Sequence, residues 1–440
     1  MNKRKKSLRF SLLSTLKQKY QHVGEMSNLH GIGMMCSPRV PLTKRLFWLF
    51  IWLVCVFGAW SVLKSSLSLY STKVIAYNVD TNSLEWDTPF PAVTLCETLD
   101  NSRINNYLKS NNLPSDMVHF YKHVSYWTIK YCRLCVSCER NVTCSDDFIH
   151  HIARMRANCT ELLTDCWWGG EHFKCCDRFR PIKTEYGVCF TFNSELPGNK
   201  SEILLVNRKI GTPGLVFSTI NSVLVKIHAS DDTVYVDMEE LLGRSNSIPL
   251  MANSEITLSV EQTVNDAAVT SVKPNLRDCL FKNERPTFTK DWPFSFYSVT
   301  ACMLYCKAIT QYQLCNCTYH FISSIVNMPP CDINGLACLT MNKDEFSKYN
   351  CTCPMRCEET TYKLIHMSYR RSTKQLDSEI PSSRTVVRLL QLPSIRYRRF
   401  VIRDNLGLMV DIGGVGGVFF GASLLSFIEF VYLLCIRRGS

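Results

Sequence analysis

The chain has 440 residues, 46% hydrophobic and 20% charged, with 50 Lys and Arg against 38 Asp and Glu for a net charge of +12. That length suits two or three average domains, or one large domain with membrane anchors. The positive excess is local: residues 1–45 hold ten Lys and Arg against the single acid Glu25, while residues 64–405 carry 38 basic and 35 acidic side chains, so no basic surface asks for nucleic acid.

Behind the basic start, residues 46–63 ("LFWLFIWLVCVFGAWSVL") contain neither Lys nor Arg and fit a membrane span of minimum length. A cleaved signal peptide is the rival reading; against it, 45 residues precede the run and no small-residue cleavage site is evident. The long stretch that follows, residues 64–405, changes texture. Residues 131–189 are dense in cysteine, including Cys132, Cys135 and Cys138, whose spacing suits a zinc knuckle or, in an oxidising compartment, disulfides. Residues 202–264 lack cysteine and alternate β-branched with polar residues in "EILLV", "LVFSTINSVLVKIHAS", "TVYVDM" and "EITLSVEQTV", which read as strands. Cysteine returns over residues 279–357 with a helix-like stretch, "SFYSVTACMLYCKAITQYQ", that puts Cys302 and Cys306 on one face.

The second apolar segment, residues 406–436, ends at Arg437 and Arg438, with a tail to Ser440. As a straight helix its 31 residues would be about 46 Å long against a hydrocarbon core of about 30 Å, so it must tilt, project or break. Positive charge before the first span and after the second places both termini in the cytoplasm. Cysteine use agrees: Cys36, Cys55 and Cys435 lie in the tail or spans, and the other twenty of 23 fall between Cys96 and Cys357. An even number in the loop already placed outside reads as a disulfide framework. The N-glycosylation sequons at Asn141, Asn158, Asn199, Asn316 and Asn350 lie in that loop too.

Five stretches, "FPAVTLC" (90–96), "GVCFTFN" (187–193), "YSVTACMLYCKAITQYQLCNC" (297–317), "CTCPMRC" (351–357) and "DIGGVGGVFFGASLLSFIE" (411–429), resemble the degenerin/epithelial sodium channel superfamily, as does "SNLHG" (27–31) its cytoplasmic His-Gly motif. "CPMRCEETTY" and the extra cysteines after Tyr131 are most similar to the insect pickpocket branch. The resemblance implies an α+β membrane protein with two transmembrane helices and a large disulfide-rich ectodomain of β-sheet palm and helical thumb, assembled as a trimeric channel. Its parts would be a cytoplasmic region (1–45), a first helix (46–63), an ectodomain (64–405) with finger-like (131–189), palm (202–264) and thumb (279–357) portions, a pore helix (406–436) and a tail (437–440). Carried over by position, Cys96 would pair with Cys189, Cys279 with Cys357, Cys302 with Cys353, Cys306 with Cys351, Cys315 with Cys338 and Cys317 with Cys331; eight cysteines from Cys132 to Cys176 stay unassigned.

The pore segment concentrates the candidate residues. Gly413, Gly417 and Gly421 recur every four residues, a pattern of close helix packing in lipid, which is the favoured reading for the first two. Gly421, Ala422 and Ser423 match the family's Gly-x-Ser selectivity motif, where a broken helix would offer small side chains and free carbonyls to an ion. Asp411 and Glu429 are costly in a span unless they face water, a partner or a pathway, so rings of three would gather cations; a helix cap or interfacial solvation for Asp411 and a basic partner for Glu429 are the plainer readings. His30 and Gly31 would act in gating beneath the pore. Val410 stands where the family usually has a small residue and where bulk favours an open pore. The Trp that acid-sensing members place before the first thumb cysteine is absent, Leu276 preceding Cys279 by three, which leaves coupling of Tyr70 to the thumb, and proton gating, without support.

The function expected is a pore-forming subunit of a sodium-selective, voltage-independent, amiloride-blocked channel of sensory or epithelial type in the plasma membrane. It would be a homotrimer or a heterotrimer with related subunits, surrounded by lipid and without a cofactor beyond permeant sodium. An accessory or receptor subunit that conducts only in a heteromer is the alternative. A two-span trimeric ATP-gated channel should show clustered Lys and Arg, which the near-neutral loop lacks. An ectoenzyme finds no support: ten histidines are scattered, His150 and His151 being the only adjacent pair, with no metal-ligand spacing and no G-x-S-x-G.

Overall fold

The computed structural model describes residues 29–72, 74–82, 85–126, 147–196, 203–238, 241–242, 247–248, 251–287, 289, 291–342, 345, 351–371, 382–402 and 405–435. The basic start up to residue 28, the cysteines from Cys132 to Cys144, the sequons at Asn141, Asn199 and Asn350, and the tail lie outside them. The main helices are α1 (Ile32–Cys36), α2 (Leu42–Thr72), α3 (Asn101–Ser110), α4 (Val118–Ser125), α5 (Phe148–Met155), α6 (Val299–Cys315), α7 (His320–Val326), α8 (Ile333–Met341), α9 (Asn405–Phe420) and α10 (Leu424–Cys435). The main strands are β1 (Ile75–Asp80), β2 (Ala92–Glu97), β3 (Leu163–Trp168), β4 (Glu171–Phe173), β5 (Arg180–Thr184), β6 (Gly187–Phe192), β7 (Leu215–Thr219), β8 (Val223–His228), β9 (Ser247–Ile248), β10 (Ala252–Asn265), β11 (Glu359–Arg371), β12 (Ser383–Leu389) and β13 (Arg396–Val401).

Two compact units divide the chain. One comprises the chain to Tyr77, Asp266–Arg277 and Arg399 onward; the other comprises Asn78–Asn265 and Asp278–Arg398.

In the first unit α2 is 31 residues long, so the helix extends beyond the 18-residue apolar run at both ends. Its Leu42–Tyr70 portion is long and apolar enough to cross a membrane. Among its described side chains only Ala59 is buried; Phe47, Phe50, Phe57 and Trp60 are each at least 60% exposed. Of the three ways to fit the second apolar segment, the structure takes the break: α9 ends at Phe420 and α10 begins at Leu424.

The second unit has two sheets and a helical cluster. Within this unit one sheet runs β10-β12-β7-β3-β4, with β11 also paired to β10, and a five-stranded sheet runs β9-β8-β2-β6-β5. Alternation along β10 puts Ile256, Leu258 and Val260 inward, where they share a core with Phe90, Leu95, Phe192, Phe217, Val225 and Val387. Burying each such side chain contributes roughly 1.5–3 kcal/mol. The cysteine-free stretch is thus one part of the sheets, which also recruit residues as distant as Ala92–Glu97 and Glu359–Arg371. β7 and β8 are three residues apart yet belong to different sheets.

The stretch "TVYVDM" (233–238) is not a strand. Its backbone is held by side chains instead of a ladder: Thr233 N–H donates to Thr300 Oγ1 at 2.9 Å and Val236 N–H to a Glu185 oxygen at 2.8 Å. Helices α3 to α8 form the other core of this unit, around Ile104, Tyr121, Phe148, Tyr297, Leu304 and Tyr319. α6 starts at a Ser298 cap and ends at Asn316, whose φ of 56° closes it in the left-handed region.

Candidate functional site

The break between α9 and α10 is built from three small residues. Gly421 has φ of +60°, a left-handed conformation that other residues enter at a cost of roughly 1–2 kcal/mol. Its N–H donates to the Gly417 carbonyl at 2.9 Å, and the Ala422 N–H to the Gly416 carbonyl at 3.1 Å. Ser423 then caps α10: Ser426 N–H donates to Ser423 Oγ at 3.1 Å, Ser423 N–H donates to Ser426 Oγ at 3.3 Å, and the hydroxyls lie 3.1 Å apart. The Gly416 and Gly417 carbonyls just before the break are therefore occupied by backbone donors, and the Ser423 hydroxyl is engaged in the cap.

A third carbonyl draws in the N-terminal segment. His30 N–H donates to the Phe420 carbonyl at 3.2 Å, and the His30 ring fills the space a Cβ on Gly421 would need. Gly31 follows with φ of +85°, and a Cβ there would sit 3.3 Å from the Trp48 ring of α2. Hence His30, about 390 residues before the break, meets it within one unit, while Gly31 packs beside α2. Sequence reading missed the aromatic packing behind this contact. Trp52 and Phe420 rings lie 5.8 Å apart, and a Cβ on Gly58 would be 2.7 Å from the Phe419 ring. One glycine among bulky residues in "VFGAW" was the available signal.

The close-packing reading of Gly413 and Gly417 does not hold within this chain. A Cβ at Gly413 meets nothing within 4 Å among the described residues, and one at Gly417 meets the Ala422 carbonyl at an ordinary 3.8 Å. Close approach of α2 and α9 instead occurs at Gly58, with Ala59 and Val415 buried. Asp411 is half-buried on α9 and Glu429 exposed on α10, one on each side of the break. Val410 is 64% exposed, Tyr70 is half-buried near the end of α2, and Leu276 is exposed.

In the second unit, disulfides join Cys96 to Cys189, Cys279 to Cys357, Cys302 to Cys353, Cys306 to Cys351, Cys315 to Cys338 and Cys317 to Cys331. Four of the eight unassigned cysteines also pair, Cys159 with Cys176 and Cys166 with Cys175. The sequon side chains Asn158 and Asn316 are exposed. Partly buried charge clamps α6 and its surroundings: Lys307 Nζ lies 2.6 Å from the buried Glu185 and 3.0 Å from the exposed Asp237, and half-buried Arg356 lies 2.5 Å from Asp231. Burial pushes the Asp232 carboxyl above its ordinary range, with the Arg356 charge opposing. Among the described residues no group of three or more His, Cys, Asp or Glu is arranged to hold a metal.

The family model described as "Amiloride-sensitive sodium channel" matches residues 23–433. Pickpocket protein 19 of Drosophila melanogaster is 24% identical over 93% of this chain and 88% of its own length. Sodium channel protein Nach of Drosophila ananassae is 22% identical, covering 97% and 88%. Human bile acid-sensitive ion channel is 23% identical, covering 96% and 88%. A cryo-EM structure of a proton-activated chloride channel covers 88% of this chain and 96% of its own at 7% identity, but its TM-score of 0.28 is too low to bear on the fold.

Proposed function

Because this chain belongs to the amiloride-sensitive sodium channel family, whose members are ion channels and not enzymes, we propose that it is a pore-forming subunit of a sodium-selective, voltage-independent channel blocked by amiloride. The observation that carries the reading is the interruption at Gly421, Ala422 and Ser423 in an otherwise apolar helical segment, with His30 docked on it. Interrupted backbone at membrane depth is tolerable where it borders water or protein.

Three copies of the chain, or this chain with related subunits, would place the break around a common axis. Asp411 and Glu429 would then form rings of carboxylates that concentrate sodium and repel anions on the two sides of the constriction. The bulk of Phe47, Phe50, Phe57, Val418, Leu424 and Leu425, all exposed, suits contact with lipid, and both termini would be cytoplasmic in a two-span plasma-membrane subunit. The second reading, a subunit that conducts only with partners, is favoured by Val410, a bulky exposed side chain beside Asp411 where the family usually has a small one.

Whole-cell current in oocytes expressing this chain alone tests both readings. A standing inward sodium current, blocked by amiloride, lost when sodium is replaced by a large organic cation, abolished in Ser423→Leu and reduced in Val410→Gly, is the expected result. Surface protein without current would reject the homomeric pore and leave the heteromeric subunit.

A further inference from the structure

We propose that His119 and His123 form a two-imidazole site for a divalent transition-metal cation of the zinc type on the outward face of α4. The residues are four apart on one helix, the spacing at which two imidazoles can grip one ion from the same face. Sequence reading found no metal-ligand spacing because nothing in "MVHFYKHVS" marks a helix strongly; the fold supplies it.

The rings have the required separation. Their centres lie 4.6 Å apart with planes at 47°. Two imidazoles on one ion, with nitrogen–metal bonds of about 2.1 Å at angles of about 90–110°, would have centres roughly 4.5–5.3 Å apart. α4 buries Phe120, Tyr121, Val124 and Ser125, leaving His119 exposed and His123 half-buried, so water can complete the coordination.

Two other histidines of this unit have hydrogen-bond partners. His151 Nδ1 is bonded to the Tyr107 hydroxyl at 3.0 Å, and His228 to Thr94 and the Ala229 carbonyl at 2.7 Å each. His119 and His123 enter no hydrogen bond or ion pair among the described residues, and their close approach would be repulsive if both were protonated. Desolvation first, and then the charges of His119 and Lys122, hold His123 below its ordinary range and favour the neutral ring that binds metals. Binding would replace two waters of the hydrated ion with two imidazole nitrogens.

The test uses the purified full chain in detergent, metal-free and with free thiols blocked by N-ethylmaleimide. Calorimetric titration with Zn2+ is expected to show one micromolar site per chain, weakened at least tenfold in His119→Ala and in His123→Ala and unchanged in His172→Ala, which removes the exposed histidine 4.0 Å from Asp165. Absence of the site, equal binding in both α4 variants, or its loss in His172→Ala would overturn the proposal. Electron paramagnetic resonance of the unmutated chain with one equivalent of Cu2+ needs no variant. Coupling to two nitrogens is expected, and a spectrum without nitrogen coupling overturns the assignment.

Discussion

His320 is 4% exposed, its ring centre 4.2 Å from that of Tyr319, 4.3 Å from Phe321 and 5.5 Å from Phe148. Burial, to which the Arg156 charge adds, pushes this imidazole down to about 3. An unfolded chain takes up the proton below pH about 6.5 and the folded chain does not, so the stability of the neutral ring is complete above that pH. It is lost progressively as pH falls from about 6.5 towards 3. Acid unfolding of the full chain, followed by near-ultraviolet circular dichroism, should therefore shift its midpoint down by at least about half a pH unit in His320→Phe. An unshifted midpoint would show that the buried ring protonates without cost. Nothing in "CTYHF" distinguishes this histidine from an exposed one, because its burial depends on Phe148, 172 positions earlier. Gly421 is the reverse case: its smallness is visible in the chain, whereas the ring that occupies the freed space belongs to His30.

α2 and α9 illustrate what an element's own residues disclose. Length and hydropathy identify both, yet the glycine that lets them approach is Gly58 on α2, facing Phe419. Gly58→Leu would overpack that contact at a cost of about 1–3 kcal/mol. We expect at least a fivefold loss of sodium current at unchanged surface expression, while Gly413→Ala, whose methyl meets nothing within 4 Å among the described residues, keeps the current. Equal currents in the two variants would remove Gly58 from the packing argument. Among strands, β10 was legible because one face is buried and alternation records it. "TVYVDM" has the same alternation but pairs with no strand; Thr300 and Glu185, both far away in the chain, take two of its backbone donors. Local pattern reports propensity, and pairing partners decide whether it is used.

Across the whole molecule, the charge of the first 45 residues, the twenty clustered cysteines and the five sequons are the grounds for expecting residues 64–405 outside. The exposed Asn158 and Asn316 allow a direct check. Thr160→Ala removes the first sequon, and Asn316→Gly removes the second while tolerating the φ of 56°. Each should raise gel mobility by one glycan step, abolished by glycosidase, whereas unglycosylated Asn158 and Asn316 in the unmutated protein would contradict an outside location. Membrane preference, charge asymmetry, redox compartment and the position of the break are properties of short stretches, each set by a few neighbouring side chains, and they could be read along the chain. The division of neighbouring β7 and β8 between two sheets, the partners of Cys159, Cys166, Cys175 and Cys176, and the seat of His30 against Gly421 could not. Each depends on contacts between segments tens to hundreds of residues apart, and these form only when a common core pulls those segments together.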